Sequence, residues 1–106
     1  MDDQPTISTH VLDTERGQPA SGVDVALYRM ETTSEGRVGA GVTDADGRIK
    51  RLLDGELVAG TYRIDFHVDG RFFLDVSITF VVDDASRSYH VPLLLAPYSI
   101  ASYRGS

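Results

Sequence analysis

Apolar residues recur at every second position in one short segment of this chain after another. In "VDVALYR", Val23, Val25 and Leu27 share a phase. In "YRIDFHV", Tyr62, Ile64, Phe66 and Val68 alternate with Arg63, Asp65 and His67. "LDVSITFVV" places Val76, Ile78, Phe80 and Val82 in phase, and "SYHVPLLL" does so for Tyr89, Val91, Leu93 and Leu95. A period of two marks a strand with one buried face. No segment sustains a 3.6-residue period; "RIKRLLDGELV" comes nearest, and Gly55 interrupts it. Turn-forming clusters fall between the alternating runs: "ERGQPASG", "DADG", "VAGT", "VDGR" and "VDDASRS". Strands are expected at 7–13, 22–30, 37–43, 48–53, 61–68, 73–82, 87–96 and 99–104. Eight short strands in 106 residues imply an all-β Greek-key sandwich.

A chain of this length, 1–106, is expected to be a single domain. Its core is small enough that association with copies of itself would add stability. The run "VPLLLAPY" is apolar in both phases, which is unusual for a strand with one wet face. The chain then ends in "SYRGS". Chain ends fray unless tied down, so a strand running almost to the last residue implies a tail held in a sheet.

Charge and composition remove several classes of function. The net charge is −6, and the positive charge is nine scattered arginines and one lysine, Lys50. No basic stripe exists, so nucleic acid is not an expected partner. No apolar run approaches the roughly 18 residues of a membrane span, so no membrane association is expected. The start, "MDDQPTISTHV", is acidic and polar without an apolar signal core, and the cytoplasm is the expected location. There is no cysteine, hence no disulfide framework and no thiol nucleophile.

Three histidines are available, His10, His67 and His90. His10 lies opposite Ile7, Thr9 and Val11, on a face with Ser8 and Leu12; His90 is out of phase with Tyr89, Val91 and Leu93. His67 follows the polar phase of Arg63 and Asp65 and reads as a surface residue. "TDADG" is not a calcium loop: valine stands at position 42 where the first acid belongs, and the twelfth loop position falls on Leu53. It reads as a β-turn with Gly47 at positive φ. A G-x-S-x-G elbow and a glycine-rich phosphate loop are absent. What remains is His10, Arg48, His90, Arg104 and Ser106, on strands or at their ends. A neutral imidazole can take a proton from water near neutral pH, and a guanidinium can clamp a planar anion or a developing oxyanion. Such a set suits water attack on an activated amide, but local spacing does not bring the five together.

Taken together, "STHVLDTERGQPASGVDVALYR", "TDADGR", "GTYRIDF" and "YHVPLLLAPYSIASYRGS" resemble the transthyretin-like 5-hydroxyisourate hydrolases of urate breakdown, over nearly the whole chain. The resemblance implies a transthyretin-like sandwich of eight strands, assembled as a homotetramer with active sites in a channel where two dimers meet. It places the family's catalytic residues on His10, Arg48 and His90, and its substrate-binding terminal tetrapeptide on Tyr103, Arg104, Gly105 and Ser106. It implies a small-molecule substrate, 5-hydroxyisourate, and no metal or organic cofactor. Between Val68 and Phe72 the chain has only "DGR", where relatives place a longer segment with a short helix after the fifth strand; a tight hairpin without that helix is expected. Ile100 and Ser88 stand where relatives often carry tyrosine and histidine, and "FFLD" stands where they carry a Pro-Glu pair. The alternative is a non-catalytic transthyretin-like module that binds a small ligand. A surface-adhesin sandwich held by a lysine–asparagine cross-link is excluded, because the chain has no asparagine.

Overall fold

The structure is a computed structural model and describes residues 4–30 and 35–105. Nine strands are present among them: β1 (Ile7–Asp13), β2 (Gln18–Pro19), β3 (Asp24–Met30), β4 (Glu35–Val42), β5 (Arg48–Ile49), β6 (Gly60–His67), β7 (Asp75–Val82), β8 (Tyr89–Ala96) and β9 (Ser99–Ser102). They form two sheets. One runs β2-β1-β8-β9 with β5 also on β1; the other runs β4-β3-β6-β7. No described residue is helical.

The alternation sets the core. Val25, Leu27, Ile64, Phe66 and Val76 face inward from one sheet, and Ile7, Val11, Val91 and Leu93 meet them from the other. Burying such side chains stabilises the fold by roughly 1.5–3 kcal/mol each before conformational entropy is charged against it. Among the described residues most buried side-chain polar atoms are paired, Thr6 Oγ1 being the exception. Tyr62 Oη donates to the Val58 carbonyl at 2.8 Å, Tyr89 Oη donates to Asp83 Oδ1 at 2.7 Å, and Thr9 Oγ1 donates to the Val91 carbonyl at 2.6 Å.

Two pieces differ from the sequence expectation. The strand expected over 48–53 stops after Ile49, since only Thr9↔Ile49 and His10↔Arg48 pair there. Beyond it the chain drops Leu52, Leu53 and Leu57 into the core from a loop, held by Leu52 N–H donating to the Ile7 carbonyl and Asp54 N–H to the Val38 carbonyl. The apolar character of this stretch comes from plugging the sandwich. The two-residue strand Gln18–Pro19 pairs with Leu12 and Asp13 and is too short to show a period.

The hairpin between β6 and β7 is tight, as the short "DGR" connection requires. Asp69 sits at φ +50°, and N–H groups of Val68 and Asp69 both donate to the Leu74 carbonyl. Asp tolerates this left-handed conformation better than most residues.

Gly39 tests the core against this loop. A Cβ there would run into the Leu52 carbonyl oxygen, a backbone atom, whereas a Cβ at Gly36 on the same strand meets nothing within 4 Å. Gly39→Ala is expected to destabilise the fold by about 1–3 kcal/mol, and Gly36→Ala to be near neutral, in urea unfolding. Equal midpoints for the two variants would contradict this packing.

Candidate active site

The outer face of the first sheet is organised by a parallel ladder. β1 pairs in parallel with β8 along its whole length, with Ser8 opposite His90 and His10 opposite Pro92. β5 adds Arg48 directly opposite His10 on the other side of β1. Residues paired across a ladder point to the same side of the sheet. His10, Arg48 and His90, from three separate strands, therefore share one face with Ser8.

Each of these groups is held. His10 Nε2 lies 2.8 Å from the Asp46 carbonyl oxygen. A carbonyl only accepts, so Nε2 carries the proton, and in the neutral ring Nδ1 keeps the lone pair. The carbonyl is itself fixed by the turn in "TDADGR". Asp44 Oδ1 accepts from the N–H of Asp46 at 2.9 Å and of Arg48 at 3.0 Å. Those amides, that of Arg48 first, hold the Asp44 carboxyl below its ordinary value. Gly47 closes the turn at φ +75°, where a Cβ would strike the Val11 carbonyl. The sequence reading of this stretch as a β-turn matches the structure, and the turn presents both Arg48 and the partner of His10.

His90 Nδ1 lies 2.8 Å from Ser8 Oγ. The C-terminal tail covers the ring from the other side. Gly105 bridges to His90, its N–H donating to the His90 carbonyl at 2.8 Å. A Cβ on Gly105 would lie 2.5 Å from His90 Cδ2, so only glycine lets the tail pass this close. Burial holds the His90 imidazole below its ordinary value, and the positive charge of Arg48 and of His10 acts in the same direction. Both effects favour the neutral ring, the form that general-base chemistry requires.

The remaining candidates divide. Tyr103 is 59% exposed beside β9. Arg104 does not join the two imidazoles: its guanidinium stacks over the Tyr89 ring, 4.8 Å from the centroid, and its charge acts on Asp83 and Asp84. Ser106 lies outside the described residues. His67 is on the other sheet, paired with Asp75 at 2.7 Å and exposed, as its polar phase indicated. Sequence reasoning passed over Ser8 and Asp44. Ser8 had a signal, since it shares the phase of His10; the Asp44 contacts run through backbone atoms and left none.

Residues 7–105 match the profile of the HIUase/Transthyretin family. The chain belongs to that family. Among its members, the 5-hydroxyisourate hydrolase of Deinococcus radiodurans is 44% identical, with all of both chains covered. Among solved structures of the family, a Klebsiella pneumoniae 5-hydroxyisourate hydrolase superposes with a TM-score of 0.84 at 33% identity, over 97% of this chain and 100% of that one. Sea bream transthyretin, solved in complex with thyroxine, superposes with a TM-score of 0.86 at 25% identity, covering 93% of each chain. The family's two-sheet sandwich is thus the fold observed here, without a helix in the described residues.

The electrostatics of His90 give a direct check. In NMR titrations its ring is expected to protonate below the usual histidine value of about 6.5. Removing the Arg48 charge, as in Arg48→Gln, should move that midpoint upward. An unchanged midpoint would mean that Arg48 does not act on His90.

Proposed function

We propose that this chain hydrolyses 5-hydroxyisourate in urate degradation. The observation that carries the reading is the convergence of His10, Arg48 and His90 on one sheet face, in a chain whose full-length relative in Deinococcus radiodurans is a 5-hydroxyisourate hydrolase.

The reaction is the one the resemblance to the family implies, and the geometry is compatible with the following steps. Water adds to the ring carbonyl next to N1 of the six-membered ring. The C–N bond then breaks, and the nitrogen takes a proton. The product is 2-oxo-4-hydroxy-4-carboxy-5-ureidoimidazoline. A neutral His90 takes the proton from the attacking water. The proton that His90 takes from water passes to Nδ1 of His10, the free nitrogen of a ring whose Nε2–H is committed to the Asp46 carbonyl, and from there to the departing nitrogen. The Arg48 guanidinium orients the planar ring and offsets the charge that grows on oxygen. Substrate binding is assigned to the terminal Tyr103, Arg104, Gly105 and Ser106 by the resemblance to the family, with the Arg104 guanidinium having to leave the Tyr89 ring to reach the substrate. Gly105 presses on the His90 ring, so the tail also fixes the angle of the imidazole.

The working unit is a homotetramer, a dimer of dimers. β7 and β9 each lie at one edge of their sheet. Val81 on β7 is 63% exposed and Ile100 on β9 is 40% exposed. Such edges join to edges of another copy. The histidine face is open in one chain. Two surface cavities, of about 900 and 680 Å³, have other linings, and neither includes His10, Arg48 or His90. A second dimer placed over that face would close it into a channel and exclude bulk water from the reacting ring.

The test generates 5-hydroxyisourate from urate with urate oxidase and follows its ultraviolet decay. The protein is expected to accelerate decay. His90→Ala should lose about 10²–10⁴ of that acceleration, the worth of a positioned acid–base group, with the assembly intact by sedimentation. Gly105→Ala should also lose activity by displacing the His90 ring. Decay at the spontaneous rate with the native protein would exclude the hydrolase reading and favour a ligand-binding role.

A further inference from the structure

The contact between Ser8 and His90 has a chemical consequence that rests on the hydrolase reading above. Ser8 Oγ is 2.8 Å from His90 Nδ1, on the adjacent parallel strand and directly opposite in register. A hydroxyl can either donate or accept. The two choices give opposite results. If Ser8 donates, neutral His90 carries its proton on Nε2 and has no free basic nitrogen. If Ser8 accepts from Nδ1–H, the lone pair is on Nε2, free to take a proton from water.

We propose that Ser8 is the positioning residue of the base: it accepts from His90 Nδ1–H and thereby leaves Nε2 as the nitrogen that deprotonates water. A base alternates between neutral and protonated forms. The protonated ring carries hydrogen on both nitrogens, so the contact survives the cycle only when Ser8 accepts. An accepting Ser8 lets the proton arrive and leave at Nε2 without disturbing the ring.

The identity of the orienting group also matters. Among the described residues, the charged groups that act on His90 are Arg48 on β5 and His10 on β1, while Arg104 in the tail is turned over Tyr89. None of these supplies negative charge to the imidazole. A carboxylate at position 8 would stabilise the imidazolium, and serine does not. Ser8 thus fixes the ring's orientation without raising its affinity for the proton. The complementary lock on His10 fixes Nε2–H instead. The two imidazoles therefore present different nitrogens to the substrate, Nε2 from His90 and Nδ1 from His10, which matches a base and an acid acting at two atoms of one ring.

Nitrogen-15 NMR of the full assembled protein reads the tautomer without any turnover. Neutral His90 is expected to carry its proton on Nδ1 in the native protein and to shift toward the Nε2–H form in Ser8→Ala. A native His90 protonated on Nε2 would overturn the proposal, whether or not the protein turns over 5-hydroxyisourate. In the decay assay, Ser8→Ala should lower kcat by about fivefold to tenfold, the worth of one hydrogen bond, with KM little changed. Ser8→Thr should keep native kcat, and Ser8→Asp should move the acid limb of the pH profile up by about one unit, the effect of an adjacent carboxylate. If the native enzyme is active while Ser8→Ala keeps both its kcat and its tautomer, Ser8 has no positioning role. If the native enzyme is inactive, the hydrolase reading fails, and the NMR result still decides which group donates.

Discussion

The parallel ladder between β1 and β8 fixes where every group of the candidate site lies. Seven register pairs, from Ile7↔Tyr89 to Asp13↔Leu95, tie two strands separated by most of the chain. Both strands bury one face, through Ile7 and Val11 on β1 and Tyr89, Val91 and Leu93 on β8. A slip of one residue would expose that set and turn the polar set inward. The cost of exposing core side chains therefore holds Ser8 against His90 and His10 one step along. The site inherits its geometry from the core.

Around this ladder the fold adds backbone contacts more than side-chain bonds. The Asp44 carboxylate shapes a turn whose carbonyl fixes His10 and whose end delivers Arg48. The tail reaches His90 through a backbone bridge and a missing Cβ at Gly105. Rigid support of this kind keeps catalytic groups in place at little entropic cost during the reaction. Burial and the charge of Arg48 both lower the proton affinity of His90, so the same packing that orients the ring also favours its neutral form.

The fold was legible where one face of a strand is buried and the other wet. β1, β3, β6, β7 and β8 carry that alternation, and their positions follow from it. The stretch from Arg48 to Leu53 misled because Leu52 and Leu53 are buried from a loop, and apolar content alone does not distinguish a loop plug from a strand. Gln18–Pro19 pairs over two residues and has no period to read. The site was legible only in pieces. Phase placed Ser8 and His10 on one face and His90 outside the core, but their meeting depends on a ladder between strands some 80 residues apart, which local spacing does not encode. The resemblance to the transthyretin-like hydrolases named His10, Arg48 and His90 together. It did not reveal that the Arg104 guanidinium rests on Tyr89, because that contact depends on the packing of the tail over β8.

A crystal structure of the assembled protein with an inert planar purine analogue would measure the site directly. The ring should lie in the channel over β1 and β8, with the Arg48 guanidinium on its edge and His90 Nε2 facing the position of the attacking water. An analogue bound in the cavity lined by Asp13, Arg16, Arg71 and Phe73, with the histidine face empty or covered by nothing, would contradict that placement.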